Sequence, residues 1–467
     1  MISKEKIKAD LKSSYGLIFL LIAAIRLFFN AVIPLTDKTE ARYGEIARLM
    51  AETGNWIVPQ IDYGIPFWAK PPLSTWLSAA SIALLGNSEF VLRLPYWIVA
   101  VSMALLLSRY ASKREINFFV PGLILLTLPE FFLHAGVVST DMMLSFSIAL
   151  TMLGFWEFMH SKNNRFGGFL FFVGIGLGLL AKGPIVGILS FPPLFLWCLR
   201  YSHGFKKIAK LPWLLGGLVV LFIALPWYLL MEKNSPGFTD YFVVGEHFLR
   251  FLDSSWSGDK YGFPKQQPLG IVWLFLLGGT LPWSIAMIVN AKKLSKGIWN
   301  DPWRLFLWLW LLWTPFFFTF SKSLIHTYTL PVMVPLALLI LHHWGELKDK
   351  KTYGYIAVGI PLVLFAVYFS KPTQTAISNS TDKYLVLHPQ VAPLNLYSLS
   401  FKSYSSQYYS EGKIKLVSMP ELEEMVRNDA AFGIIIQNRH LDQIPPKLME
   451  KFKPLRVEKK DALYYTK

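Results

Sequence analysis

Residues 15–33 read YGLIFLLIAAIRLFFNAVI, an apolar run interrupted by one charge, Arg26. At about 1.5 Å of rise per residue, a helix of this length spans the roughly 30 Å hydrocarbon layer of a bilayer. Lys4, Lys6, Lys8 and Lys12 precede it and no A-x-A cleavage pattern accompanies it. It reads as a retained anchor rather than a signal peptide. Ten further runs follow at 90–107, 118–133, 144–159, 169–181, 185–199, 213–231, 269–289, 303–320, 327–341 and 353–369. Of 467 residues, 53% are hydrophobic, 16% aromatic and only 16% charged, where a soluble globule has about 25% charged. Disorder is excluded and a water-soluble globule disfavoured. The sequence predicts an α-helical polytopic membrane protein of about 11 spans plus interfacial helices.

The net charge of +16 fits basic residues flanking spans on the cytoplasmic side better than a nucleic-acid partner. One apolar stretch, 72–85, is left out of the count. It is short, opens with Pro71-Pro72 and carries Ser74, Thr75, Ser78 and Ser81, so it reads as interfacial or re-entrant. With it excluded, Arg109/Lys113/Arg114, Lys162/Arg165, Arg200/Lys206/Lys207/Lys210, Lys292/Lys293/Lys296 and Lys348/Lys350/Lys351 all fall on the side of the basic N-terminus. That is a positive-inside pattern. The N-terminus is then cytoplasmic, and the loops 36–89 and 232–267 and the C-terminus are external.

Two domains are expected: a membrane domain at 1–370 and a small external α/β domain at 371–467. In the latter, β-prone runs (384–387, 396–399, 414–417, 433–436, 462–465) alternate with helical patterns (419–427, 446–452). Cys198 is the only cysteine, which excludes an internal disulfide and a Cys-rich metal site.

The external segments hold the chemistry-bearing residues. Tyr43, Ile46, Ala47 and Met50 recur at i, i+3, i+4 and i+7, an amphipathic helix that puts Glu40, Gly44 and Arg48 on another face. Asp37 with Glu40 also fits a helix cap and capping box. Lys70, between aromatics and a diproline, suits a lipid phosphate at headgroup depth, or simple snorkelling. Asp141, after Ser139-Thr140, stands at a span mouth, where an acid either caps the helix or faces a cavity. Lys182 breaks an apolar stretch at a turn. Glu246 and Arg250 are spaced to pair along a helix. His247 is a weak metal-ligand candidate because no second His is suitably spaced. Carboxylates suit activating a hydroxyl or stabilising an oxocarbenium-like sugar, and cations suit a departing phosphate. Sugar transfer from a lipid phosphate combines the two.

Several motifs carry a resemblance. They are Thr39-Glu40-Ala41-Arg42-Tyr43-Gly44-Glu45-Ile46-Ala47-Arg48, Gly54-Asn55-Trp56-Ile57-Val58-Pro59 and Trp68-Ala69-Lys70-Pro71-Pro72. Arg93-Leu94-Pro95, Ser139-Thr140-Asp141, Ala181-Lys182-Gly183, Glu246-His247-x-x-Arg250-Phe251 and Leu281-Pro282-Trp283 follow in order. Together they resemble the GT-C glycosyltransferases of family 39, especially the bacterial lipid A aminoarabinose transferase branch, related to protein O-mannosyltransferases. The resemblance covers roughly residues 17–341. It implies a GT-C-like fold and transfer from an undecaprenyl-phosphate sugar at a periplasmic cavity of the bacterial inner membrane. It implies Glu40 and Asp141 as candidate catalytic acids, with Asp37 as a substitute for the family's usual Asp, and Arg42, Tyr43, Lys70 and Arg250 as matches to its substrate-binding positions; Lys182, Glu246 and His247 are further substrate-binding candidates from their loops. The family commonly has Asp-Glu where this chain has Thr39-Glu40, and the aminoarabinose branch has Glu where this chain has Ala69. No organic cofactor is expected; a divalent metal stays open. The acceptor is lipid A or another envelope glycan, with Ser/Thr of exported proteins as an alternative. A transporter or flippase is the reading from another class, disfavoured because the acids lie mainly in external loops.

Overall fold

The structure is a computed structural model that describes residues 4–111, 116–160, 165–201, 203–249, 258, 260–261, 266–321, 323–428 and 431–466. Six of its helices are long and apolar enough to cross a membrane: Ser14–Val32, Glu89–Ala111, Thr140–His160, Arg165–Lys182, Trp213–Asn234 and Lys350–Tyr368. The other expected spans appear as shorter or broken helices. Ile185–Arg200 and Pro302–Phe318 are single helices, and the run from His326 to His342 starts as a tighter helix. The expected span at 118–133 is two helices, Val120–Leu126 and Pro129–His134, divided where Pro129 opens the second. The expected span at 269–289 is two helices, Ile271–Gly279 and Trp283–Val289, bent by 107° around Leu281-Pro282. Neither half alone reaches across a bilayer.

The Leu73–Leu85 stretch is a helix of 13 residues, about 20 Å long. The loop before it reaches the C-terminal unit through Lys402 Nζ to Asp62 Oδ2 at 2.6 Å. The corner after it reaches the same unit through Tyr408 to Asn87 Oδ1 at 2.7 Å and a Lys383–Glu89 ion pair. Both ends of the helix therefore return to one face of the molecule.

Arg26 does not reach the surface. It is 5% exposed, and its guanidinium donates to the Leu133 carbonyl at 2.7 Å inside the bundle. The helices Thr140–His160 and Arg165–Lys182 form a tightly packed antiparallel hairpin. A Cβ on Gly174 would lie 2.4 Å from Thr151 Oγ1, and one on Gly154 2.6 Å from the Phe171 amide. Small residues let backbones approach this closely. The register sets Asp141, at the start of the first helix, beside Lys182, at the end of the second.

A two-stranded ribbon, β1 (Gln60–Asp62) and β2 (Ile65–Pro66), lies in the first loop. The C-terminal unit is a five-stranded sheet of β3 (Asn395–Leu399), β4 (Lys415–Val417), β5 (Phe432–Gln437), β6 (Phe452–Val457) and β7 (Asp461–Thr466) in the order β4-β3-β5-β7-β6. β4, β3 and β5 are parallel, while β7 and β6 are antiparallel additions. Ile434 and Ile436 pack into one core and Ile435 into another, so β5 is covered on both faces. The expected strand at 384–387 is a short helix, Lys383–Val386, because so brief an apolar run has no decisive period. The helical pattern at 446–452 stops at Met449, and Phe452 opens a strand.

Candidate active site

The Thr39–Thr53 helix is buried along Glu40, Ala41 and the run from Tyr43 to Met50. It therefore does not lie open on a membrane surface. Its acids are engaged. Glu40 accepts from Arg93 Nε at 2.8 Å and from Arg93 Nη2 at 2.7 Å, and also from the Val138 amide at 3.2 Å. Arg93 donates in turn to the carbonyls of Asn30, Ile33 and Pro34. The buried pair thus ties the end of the first span to this helix and to the 134–141 corner. Glu45 binds Arg48 through both carboxylate oxygens at 2.7 Å.

The capping box suggested by Asp37 and Glu40 does not form: Lys38 precedes the helix with no side-chain cap. Asp37 accepts from the Ser405 amide at 3.0 Å and from the Ser405 hydroxyl. Burial pushes its carboxyl up to about 6, Asp382 adding to the effect while Ser405 and Lys460 oppose it. Asp37 is at the seam with the C-terminal unit. Tyr409 donates to Glu89 at 2.9 Å and receives the Leu35 amide at 2.7 Å.

Asp141 and Lys182 form an ion pair, with side chains 10% and 14% exposed. The Lys182 ammonium also sits 4.3 Å from the Tyr328 ring centroid, a cation–π contact. The turn that carries Lys182 depends on Gly183, whose φ is +78° and whose added Cβ would lie 2.7 Å from Phe242. The segment Asp240–Leu249 is a wide helix. It presents His247 to that turn: Nδ1 lies 2.8 Å from the Phe242 carbonyl and Nε2 3.2 Å from the Lys182 carbonyl. Burial lowers the basicity of His247, and the neutral ring donates through one nitrogen only, the shorter contact being Nδ1 to the Phe242 carbonyl, with Nε2 set against the Lys182 turn. The next residue back, Glu246, binds Lys70 Nζ at 2.7 Å. Lys70 also donates to the Ala69 carbonyl at 2.6 Å.

Two lysine–carboxylate pairs are thus linked through adjacent residues of one segment. Tyr43, 5% exposed, sits edge-on to Phe67 at 5.9 Å. Its phenol is pushed up by burial, and Asp141, Lys182 and Glu246 are all in electrostatic reach of it. Arg42 donates to the Tyr261 carbonyl at 2.7 Å and lies 5.9 Å from the Tyr404 ring. Lys70, Lys182, Glu246, Asp141 and Tyr43 come together at one end of the bundle. Glu40 and Asp37 are held at its edges, and Arg250 lies outside the described residues. Sequence reasoning picked out Arg93 in a motif but gave it no role, and it missed Tyr261 and Ser405; their partners are 53, 219 and 368 residues away. Arg93 was visible as a charge inside an apolar run; Tyr261 and Ser405 gave no local signal.

The family model "Dolichyl-phosphate-mannose-protein mannosyltransferase" matches residues 14–242. The undecaprenyl phosphate-alpha-4-amino-4-deoxy-L-arabinose arabinosyl transferase of Enterobacter sp. (strain 638) is 28% identical over 361 residues, covering 72% of this chain and 61% of that protein. A transferase of the same description from Aeromonas salmonicida is 30% identical, covering 66% of this chain and 55% of that protein. The chain spans about three fifths of the length of these relatives. Among solved structures, ArnT from Cupriavidus metallidurans bound to undecaprenyl phosphate superposes with a TM-score of 0.74 at 16% identity, covering 97% of this chain and 98% of that one. The archaeal oligosaccharyltransferase AglB from Archaeoglobus fulgidus gives 0.52 at 11% identity, covering 95% and 73%. The chain therefore has the GT-C-like fold of ArnT, membrane helices and C-terminal sheet included, and its first half is similar to the protein mannosyltransferase family.

Proposed function

We propose that this protein is a membrane glycosyltransferase that moves a sugar from an undecaprenyl-phosphate donor to lipid A or another envelope glycan. The observation that carries this reading is the convergence of Lys182–Asp141 and Lys70–Glu246 around Tyr43, in a fold shared with a protein solved with undecaprenyl phosphate. In this reading the two ammonium groups bind the donor phosphate and favour its departure, exchanging carboxylate partners for phosphate oxygens. Asp141, released from Lys182, faces the sugar and either accepts the proton of an acceptor hydroxyl or offsets positive charge developing on the ring. Glu40 and Asp37 act as positioning residues, because Arg93 and Ser405 occupy their oxygens. Arg250 belongs with the phosphate binders by its motif. The site faces the periplasm of an inner membrane, with the N-terminus cytoplasmic.

Similarity to the protein mannosyltransferase family favours a second acceptor, Ser/Thr of exported proteins. Mass spectrometry of lipid A, envelope glycans and exported proteins from a deletion strain tests both. Loss of one glycoform, restored by the wild-type gene but not by Lys70→Ala/Lys182→Ala, is the expected result. Unchanged profiles of all three classes defeat the reading.

A further inference from the structure

Glu130, His134 and His326 form a cluster to which the sequence motifs assign nothing. Each offers one ligating atom within 4.8 Å of the other two. Glu130 and His134 sit one turn apart on the Pro129–His134 helix, and His326 opens the helical turn after the Pro302–Phe318 helix. Glu130 is 6% and His134 3% exposed, whereas the His326 side chain is 49% exposed. A buried carboxylate needs a compensating cation, yet the ion pairs of Glu130 among the described residues are to these two imidazoles alone.

The ring orientations bear on the same point. His134 Nδ1 is 2.9 Å from the Glu130 carbonyl oxygen, and His326 Nδ1 is 2.8 Å from Glu130 Oε1. Both Nδ1 atoms face one carboxylate oxygen, at 3.2 and 2.8 Å from Glu130 Oε1, so a bound cation would replace the ring hydrogens there and each neutral imidazole would keep its proton on Nε2.

We propose that Glu130, His134 and His326 form a binding site for a divalent cation of the zinc class. Two imidazole nitrogens and one carboxylate oxygen select borderline ions over Mg²⁺ or Ca²⁺, which take all-oxygen shells. Zinc bonds of about 2.0–2.2 Å join ligand atoms up to roughly 4.4 Å apart. A small rotation of His326 closes the remainder. Three protein ligands leave a fourth position open on the exposed side of His326, where water or an anionic oxygen completes the shell. The site neighbours Asp141 but its existence does not depend on the transfer reaction.

The test is metal binding by the full chain, purified without a histidine tag, stripped with chelator and titrated with Zn²⁺ alone and with Co²⁺ as an optical probe. Wild type should take up one equivalent, and its Co²⁺ form should show the intense visible bands of low coordination number. His326→Gln and Glu130→Gln should each weaken uptake at least tenfold, while His388→Gln, in the C-terminal unit, should bind as wild type does. His326 is half-exposed, so its variant should keep the melting temperature of the zinc-free protein. Wild type that gives only the pale spectrum of hydrated Co²⁺ would overturn the proposal even if a variant failed to fold. Variants that bind zinc like wild type would overturn it as well.

Discussion

Lys182 and Asp141 are 41 residues apart in sequence and share one ion pair at the end of a helical hairpin. Removing one partner of so enclosed a pair leaves an unpaired charge, at a cost of about 3–5 kcal/mol. Lys182→Ala should therefore lower thermal stability and, with saturating lipid-linked donor, slow single-turnover transfer by about 10²–10³-fold. Asp141→Asn should slow transfer comparably. Wild-type single-turnover rates in both would remove this pair from the chemistry. Glu40 calls for the opposite pattern. Its two oxygens bind Arg93 at 2.7 and 2.8 Å, so Glu40→Gln should reduce the melting temperature by several degrees, as losing about 2 kcal/mol or more does. The folded fraction should transfer sugar at close to the wild-type rate. A stable Glu40→Gln protein with no activity would instead make Glu40 the base. Lys70, Asp141 and Lys182 stood out in the sequence as candidates because charge in apolar surroundings is conspicuous, and each forms a lysine–carboxylate pair in the structure. The spending of Glu40 on Arg93 was not, since no local rule links residues 53 apart.

At the scale of elements, the Tyr404–Tyr409 helix of the C-terminal unit packs on the first external loop, with Ser405 on Asp37 and Tyr409 on Leu35 and Glu89. Asp37 is raised from 3.8 to about 6, chiefly by burial, and Asp382 and Asp461 beside it are also raised. A carboxyl raised in the folded state contributes stability that is complete below its unfolded pKa and lost as pH rises through the folded one. Docking of this helix should therefore weaken between about pH 4 and pH 7, by roughly 3 kcal/mol for Asp37 if its whole shift is expressed. Hydrogen exchange at residues 404–409 should speed up over that window in wild type. Asp37→Asn should flatten the Asp37 share, leaving only that of Asp382 and Asp461. Exchange that slows with rising pH, after correction for intrinsic rates, would contradict this. Elements with strong periodicity or length were readable from sequence, as the Met419–Arg427 helix and β5 show. The Lys383–Val386 helix was misread because four residues carry too little pattern. The 107° bend at Leu281-Pro282 was missed because hydropathy counts apolar residues without regard to direction.

For the whole molecule, the placement of apolar segments was legible because bilayer thickness imposes a length on each, although among the described residues only six of the eleven expected spans are single helices long and apolar enough to cross. The seating of the C-terminal unit was not, because its contacts join residues more than 300 apart, such as Asp62 with Lys402 and Asn87 with Tyr408. Those contacts now constrain topology. Asp62 precedes the Leu73–Leu85 helix and Asn87 follows it, yet both touch one compact unit. A crossing helix would put them on opposite faces, with about 30 Å of hydrocarbon between. The 13-residue helix covers only about two thirds of that distance. Taken with the positive-inside reading of the basic clusters, a non-crossing 73–85 helix predicts a cytoplasmic N-terminus. Reporters inserted at 86–89 and fused after residue 467 should therefore both give a periplasmic signal, while one fused to the N-terminus should report the cytoplasm. A cytoplasmic signal from 86–89 with a periplasmic C-terminus would mean that Asn87 and Tyr408 cannot meet. The packing of the C-terminal unit on the first loop, and with it the support of Asp37 by Ser405, would then be wrong.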